Sequence, residues 1–108
     1  MALTHLGPGE VANLCAPSPA VANKTATLVK TPRLEVIRLV LPAGKRIPPH
    51  AVARELTVQC LSGSVVFEAC EKRQTLAPGD LLYLEGGELH ALEALENVTL
   101  LVTILLAG

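Results

Sequence analysis

The chain has 108 residues, enough for one domain, and its formal net charge is −1 at pH 7. This charge offers no basic surface to nucleic acid or to an anionic membrane, and one Phe and one Tyr are too few for base stacking. Half of the residues are hydrophobic, so the core must be built mainly from Val, Leu and Ile.

The sequence also bears on where the protein acts. A signal peptide typically has a basic start followed by an apolar segment, and the sequence does not show this pattern. Its longest apolar run, Val98–Leu106, is about half as long as a membrane-spanning helix. Cys15, Cys60 and Cys70 form an odd set without metal-type spacing. We therefore expect a cytoplasmic protein with reduced thiols and no intramolecular disulfide.

The N-terminal residues differ in composition from the rest of the chain. They are rich in Pro, Gly and Ala, and they include Gly7-Pro8-Gly9 and Ala16-Pro17-Ser18-Pro19. Pro and Gly disfavour regular structure. The sequence predicts an extended arm over residues 1–22 and a β-barrel domain over residues 23–108.

The remainder alternates short runs of β-forming residues with turn signals, which predicts an all-β domain, either a barrel or a sandwich. Residues 77–80 (APGD) fit a type II turn, with Pro at the first corner and Gly at the second. Residues 89–96 also fit a helical pattern, but the turn signals on both sides favour a strand. The predicted strands and extended segments, in chain order, are Thr25–Lys30, Arg33–Leu41, Lys45–His50, Leu56–Leu61, Val65–Glu68, Arg73–Leu76, Leu81–Leu84, Leu89–Leu95 and Val98–Leu106.

Two of these strands are apolar on both faces, namely the second strand at Ile37–Leu41 and the last strand at Val98–Leu106. A strand of an antiparallel sheet that is apolar on both faces needs a second layer over its outer face. A chain of this size has little material for that layer, so we expect a homodimer.

Two groups of residues are spaced like known motifs. In the first, Gly44 is followed after five residues by His50, and then by Glu55 and Gly63. This group resembles the first motif of the cupin superfamily, in which a Gly precedes a His-x-His pair, a Glu and a closing Gly.

The second group starts at Gly79, which is followed after five residues by Glu85-Gly86-Gly87 and, two residues later, by His90. It resembles the second cupin motif. Together the two groups make residues 34–106 similar to the small single-domain cupins. The resemblance implies a cupin-like jelly-roll barrel, also called a double-stranded β-helix.

The resemblance also implies a metal site. In cupins the two motifs usually supply three His and one Glu, Gln or His to a divalent metal. Here His50 and His90 match two ligand positions, whereas Val52 and Leu56 occupy the other two. The expected cofactor is a divalent metal (Zn, Ni, Fe or Mn), weakly bound, and a pocket without metal is the alternative.

Two further side chains are candidates for the missing ligands. Glu55 and Gln59 lie next to the expected position, but one residue along a strand means the opposite face. They therefore reach the metal only if a bulge shifts the register. The expected pocket lining is His50, Val52, Leu56, Val58, Cys60, Tyr83 and His90.

The sequence leaves two function classes open. One is a module that binds or senses a small molecule without turnover. The other is an enzyme of the isomerase, lyase or dioxygenase type, with or without metal, whose catalytic residues the sequence does not identify. An enzyme is expected to place a third polar group near both imidazoles, whereas the pocket of a binding module can be apolar apart from them.

Overall fold

The computed structural model describes residues 5–14 and 24–107. These residues contain nine strands and no helix, and so no segment of them is a helix long and apolar enough to cross a membrane. The strands are β1 (Ala26–Lys30), β2 (Leu34–Leu41), β3 (Arg46–His50), β4 (Leu56–Ser62), β5 (Val65–Ala69), β6 (Lys72–Leu76), β7 (Leu81–Leu84), β8 (His90–Ala94) and β9 (Val98–Leu105).

The nine strands are the predicted ones, and no end differs from its prediction by more than one residue. Residues 90–94 form a strand, so the strand interpretation of the 89–96 segment is confirmed and the helical one is wrong. Of the predicted arm, residues 1–4 and 15–22 lie outside the described residues. The part described at residues 5–14 contains no strand, and the backbone N–H of Leu6 donates to the carbonyl of Leu28 in β1 at 2.7 Å.

The strands form two antiparallel sheets. One has five strands in the order β1-β2-β9-β4-β7, and the other has four in the order β3-β8-β5-β6. Side chains from both sheets meet in one aliphatic core, in which Phe67, Leu100, Val65, Val98 and Cys60 are the largest fully buried side chains. This arrangement is an all-β jelly-roll barrel, as predicted.

The turns use the residues that their geometry requires. Gly79 has a φ of 97°, and the N–H of Asp80 donates to the carbonyl of Ala77, as in the predicted type II turn. The β5–β6 hairpin turns at Cys70 and Glu71, whose φ values of 53° and 61° correspond to a type I′ turn. Asn and Gly are the residues that usually occupy such corners, because the left-handed region crowds other side chains.

The outer face of the five-stranded sheet leaves large apolar side chains uncovered. In β7, Leu81 is 66% exposed and Tyr83 is 55% exposed, and Leu105 at the end of β9 is 40% exposed. Exposed apolar side chains grouped on one face are typical of an interface between subunits. We therefore still expect a homodimer at micromolar concentration, which light scattering measures directly.

The variant Leu81→Lys tests this expectation at the edge of the sheet. A charge on the interface must be desolvated on association, so we expect the dimer dissociation constant to rise at least about tenfold. Leu89→Lys is the matched control, because Leu89 is similarly exposed (60%) but lies outside the sheet, between β7 and β8. A parent protein that scatters light as a monomer would contradict the expectation.

Candidate functional site

The pairing of β3 with β8 brings the two predicted imidazoles together. His50 is the register partner of His90, and the ladder is irregular between Ile47 and His50, where two prolines interrupt it. The ring centroids of His50 and His90 lie 4.2 Å apart, at an angle of 59°. Phe67 belongs to β5, which flanks β8 on the side opposite β3, and it stacks on His90 with centroids 5.7 Å apart and planes 14° apart.

Each imidazole is fixed by a carbonyl two residues before it. Nδ1 of His50 lies 3.2 Å from the carbonyl oxygen of Pro48, and Nδ1 of His90 lies 3.0 Å from that of Glu88. A carbonyl oxygen can only accept a hydrogen bond, so each Nδ1 carries the proton and donates it. The neutral rings therefore present Nε2 as a hydrogen-bond acceptor.

Burial keeps His90 in the neutral form. The side chain is 5% exposed, and desolvation lowers its pKa, which the nearby His50 ring lowers further. The hydrogen bond to the carbonyl of Glu88 acts in the opposite direction but does not reverse the shift. His90 is therefore uncharged at neutral pH, whereas His50 lies exposed at the surface of the barrel.

A cavity of about 90 Å³ lies between the two sheets beneath these rings. Five of the seven residues expected in the pocket line it, namely His50, Val52, Leu56, Val58 and His90. The other lining residues are all apolar, and they are Leu39, Ile47, Phe67, Leu92, Leu100, Val102 and Ile104. The cavity is thus a small aliphatic chamber with two imidazoles as its polar groups.

Two residues expected in the lining lie elsewhere. Cys60 is buried and has the predicted inward parity, but it is four residues beyond Leu56, or about 14 Å along the strand. Its thiol approaches the carbonyls of Ser62 and Gly63, at 3.6 and 3.5 Å, and burial raises its pKa. Cys60 therefore packs under the β4–β5 turn, outside the cavity, as a small apolar residue.

Tyr83 lies on the outer face of the five-stranded sheet. It is the register partner of Thr57, whose side chain alternates with the inward-facing Leu56 and Val58. The Tyr83 hydroxyl donates a hydrogen bond to Glu55, and this bond is the main reason why the pKa of Tyr83 is raised. The sequence alone does not set which face of so short a strand as β7 is buried.

Glu55 and Gln59 face away from the cavity, as expected from their parity in the strand. Glu55 is exposed and accepts the hydrogen bond from Tyr83, and Gln59 is half-buried opposite Leu81 and Leu101. Neither side chain lines the cavity. The register irregularity in β4 falls between Cys60 and Ser62, beyond both candidates, so no bulge turns them inward.

The residues of this cavity do not fit a complete metal site. A catalytic or structural zinc normally has three or more protein ligands, and the lining offers two imidazoles among ten apolar side chains. No group of three or more His, Cys, Asp or Glu side chains able to hold a metal occurs in the described ranges, 5–14 and 24–107. The two ligand positions that the sequence fills with Val52 and Leu56 face this same cavity as alkyl groups.

Phe67 is the main site residue that the motif comparison missed. It is 2% exposed, and it stacks on the ring of His90. Alternation did not single it out, because Val65, Val66 and Phe67 are consecutive, all apolar and all buried. The available signal was that the one Phe of the chain lies within a predicted strand.

The loop that carries Val52, a lining residue of the cavity, is held by a contact with a second loop. The N–H of Gly87 donates to the carbonyl of Val52 at 2.7 Å. Gly86 packs against the backbone of the 52–54 loop, and a Cβ at this position would lie 2.9 Å from Cα of Arg54 and closer still to the carbonyl of Ala53. The Glu85-Gly86-Gly87 turn therefore lacks a side chain at Gly86 because another backbone passes there.

Comparison with known proteins supports the fold. No family model matches the chain, and no curated protein matches its sequence. Solved structures do match. A cupin superfamily protein from Desulfitobacterium hafniense has a TM-score of 0.78 at 17% identity, over 99% of this chain and 100% of that one. A conserved protein of unknown function from Streptococcus pyogenes has a TM-score of 0.76 at 20% identity, over 100% and 99% of the two chains.

A third similar structure has a stated, predicted activity. It is a predicted oxalate decarboxylase from Thermotoga maritima, with a TM-score of 0.68 at 25% identity, over 77% of this chain and 79% of that one. Identities at this level carry the fold and not the chemistry. The chain is therefore a small protein with the cupin fold.

Proposed function

We propose that this protein is a binding module that holds one small molecule in the cavity beneath His50 and His90. The supporting observation is the composition of the lining, in which ten apolar side chains accompany two imidazoles. Enzymes of the isomerase, lyase or dioxygenase type need further groups to orient a substrate and to stabilise developing charge. By the criterion of a third polar group, the cavity favours binding without turnover.

The size of the cavity limits the ligand. Its volume is about 90 Å³, whereas an apolar cavity of about 150 Å³ holds benzene, which has six heavy atoms. Pockets for drug-sized ligands measure about 300–1,000 Å³. A guest of about four heavy atoms is therefore the largest that enters without expansion. At a ceiling of about 1.5 kcal/mol per heavy atom, its dissociation constant is on the order of 40 µM or weaker.

Methyl-resolved NMR of protein labelled at Leu and Val tests this proposal. The probes are propan-2-ol, acetone, acetamide and acetate, which share one size and differ in their polar group. We expect at least one probe to cause saturable shifts that are confined to cavity methyls, such as those of Val58, Leu92 and Leu100. If no probe shifts these methyls, the proposal fails.

A filling variant identifies the binding place. Val52→Phe adds a ring to a half-buried loop position that lines the cavity, so we expect probe binding to weaken at least about tenfold. Val11→Phe makes the same change where the side chain is 91% exposed, and it is expected to leave binding unchanged. Equal affinities of the two variants would place the guest elsewhere.

A further inference from the structure

The two imidazoles that line the cavity each leave one nitrogen, Nε2, available as an acceptor. In each ring Nδ1 is occupied by a backbone carbonyl, that of Pro48 for His50 and that of Glu88 for His90. Neither Nε2 has a hydrogen-bond partner within residues 5–14 and 24–107. Within these residues, every fully buried side-chain nitrogen or oxygen has a hydrogen-bond partner. Nε2 of His90 has none, so this atom is not fully buried and borders accessible space. A guest that satisfies this nitrogen has to donate a hydrogen bond.

The lining also restricts the charge of the guest. No carboxylate and no Lys or Arg lines the cavity. The carboxylate of Glu88 is near enough to act on the His90 ring, but it lies outside this lining, in the groove next to the cavity. An ammonium group would be buried without a counter-charge, and a carboxylate would face two nitrogen lone pairs. Both ions pay a desolvation cost that nothing in the lining offsets.

We infer that the ligand of this cavity is a neutral molecule of about four heavy atoms, with an aliphatic body and a hydrogen-bond-donating head such as a hydroxyl or a carboxamide. This inference rests on the proposed function and adds the chemical class of the guest. The head contacts Nε2 of His50 and His90, and the body lies against the aliphatic lining contributed by both sheets.

The four probes separate the possible heads at constant size. At about pH 8, above the ordinary pKa of imidazole, we expect propan-2-ol and acetamide to bind at least roughly tenfold more tightly than acetone, which accepts but does not donate. Acetate, an anion, is expected to cause no saturable shift. Acetone or acetate binding as tightly as propan-2-ol overturns the inference while the proposed binding function stands. Failure of all four probes overturns the proposed function itself.

The variant His90→Phe removes the buried acceptor and keeps a ring of similar size against Phe67. We expect the preference for propan-2-ol over acetone to disappear, with acetone affinity changed less than about twofold. A preference that survives in His90→Phe and in His50→Phe contradicts the role of the imidazoles. If either variant fails to fold, long-range ¹H–¹⁵N spectra of the parent decide the point. They are expected to show the proton on Nδ1 of both rings, and a proton on Nε2 of His90 overturns the inference.

A titration with zinc completes the test. Chelator-treated protein is titrated with ZnCl₂ under the same conditions, with the imidazole and cavity-methyl signals as readout. We expect no saturation by zinc at concentrations below those at which propan-2-ol binds. Micromolar zinc binding that displaces propan-2-ol would show that the acceptor pair serves a cation, and the inference would be wrong.

Discussion

Replacing Gly63 by alanine is expected to cause the largest loss of stability of any glycine-to-alanine change within residues 5–14 and 24–107. Gly63 has a φ of 77°, and a Cβ there would lie 2.9 Å from Cα of Val98 and closer still to the carbonyl of Asn97. Both neighbours are backbone, so they move only if the β4–β5 and β8–β9 turns separate. We expect the free energy of unfolding to fall by about 4 kcal/mol or more, and the midpoint of thermal unfolding by roughly 15–25 °C.

Gly79→Ala is the matched control for this prediction. Its φ of 97° is also in the left-handed region, but nothing lies within 4 Å of a Cβ at this position. Alanine at this position is therefore expected to lower the free energy of unfolding only by the cost of the left-handed backbone conformation, about 1–2 kcal/mol. Calorimetry or thermal circular dichroism of the two variants measures the difference. Equal losses would mean that the contact between the two turns contributes nothing.

The double variant Val52→His, Leu56→Glu is expected to create strong metal binding where the parent has little. Both positions line the cavity that His50 and His90 line, so the change brings four ligating side chains to one chamber. Losing outer-shell partners alone costs about ten- to a hundredfold in metal affinity. Two gained ligands should therefore tighten Zn²⁺ or Ni²⁺ binding by more than about a hundredfold in a calorimetric titration.

The same variant is expected to be less stable without metal. Leu56 is 4% exposed, and a carboxylate in its place is buried without a partner. Thermal stability should then rise with added metal, because a ligand that binds only the folded state stabilises it. The control Glu55→Ala is expected to leave metal affinity unchanged, since Glu55 contacts Tyr83 on the outer face. Loss of binding in Glu55→Ala, with no gain in the double variant, would contradict the placement of these side chains.

The strands were predictable because residues at the turns between them mark where each strand begins and ends. Gly44, Gly63, Gly79 and Gly87 all have positive φ, and each lies at a turn between strands that the sequence already separates. The convergence of His50 and His90 followed from the resemblance to cupins, because no local rule pairs residues forty positions apart. Parity with Leu92 was sufficient to point His90 inward. His50 faces the cavity together with Ile47, three residues before it, because the ladder is irregular between them, and alternation alone does not predict this.

The face of β7 was not predictable in the same way. Its four residues, LLYL, are apolar on both sides, so alternation gives no preference. Pairing with β4 decides the matter by setting Tyr83 opposite Thr57 and Leu84 opposite Leu56. The prediction that Cys60 lines the cavity was wrong for another reason. Parity tells which side of a sheet a residue faces, but not how far along the barrel a cavity extends.

The contact between the 52–54 loop and the Glu85-Gly86-Gly87 turn has an evolutionary consequence. It is made by a carbonyl, an N–H and a missing side chain, so the identities of Val52 and Glu85 do not hold it in place. Residues at these two positions are free to change while the backbone around the cavity stays where it is. The lining of the cavity can therefore drift faster than its shape, as fits a chain that keeps a TM-score of 0.78 to a structure at 17% identity.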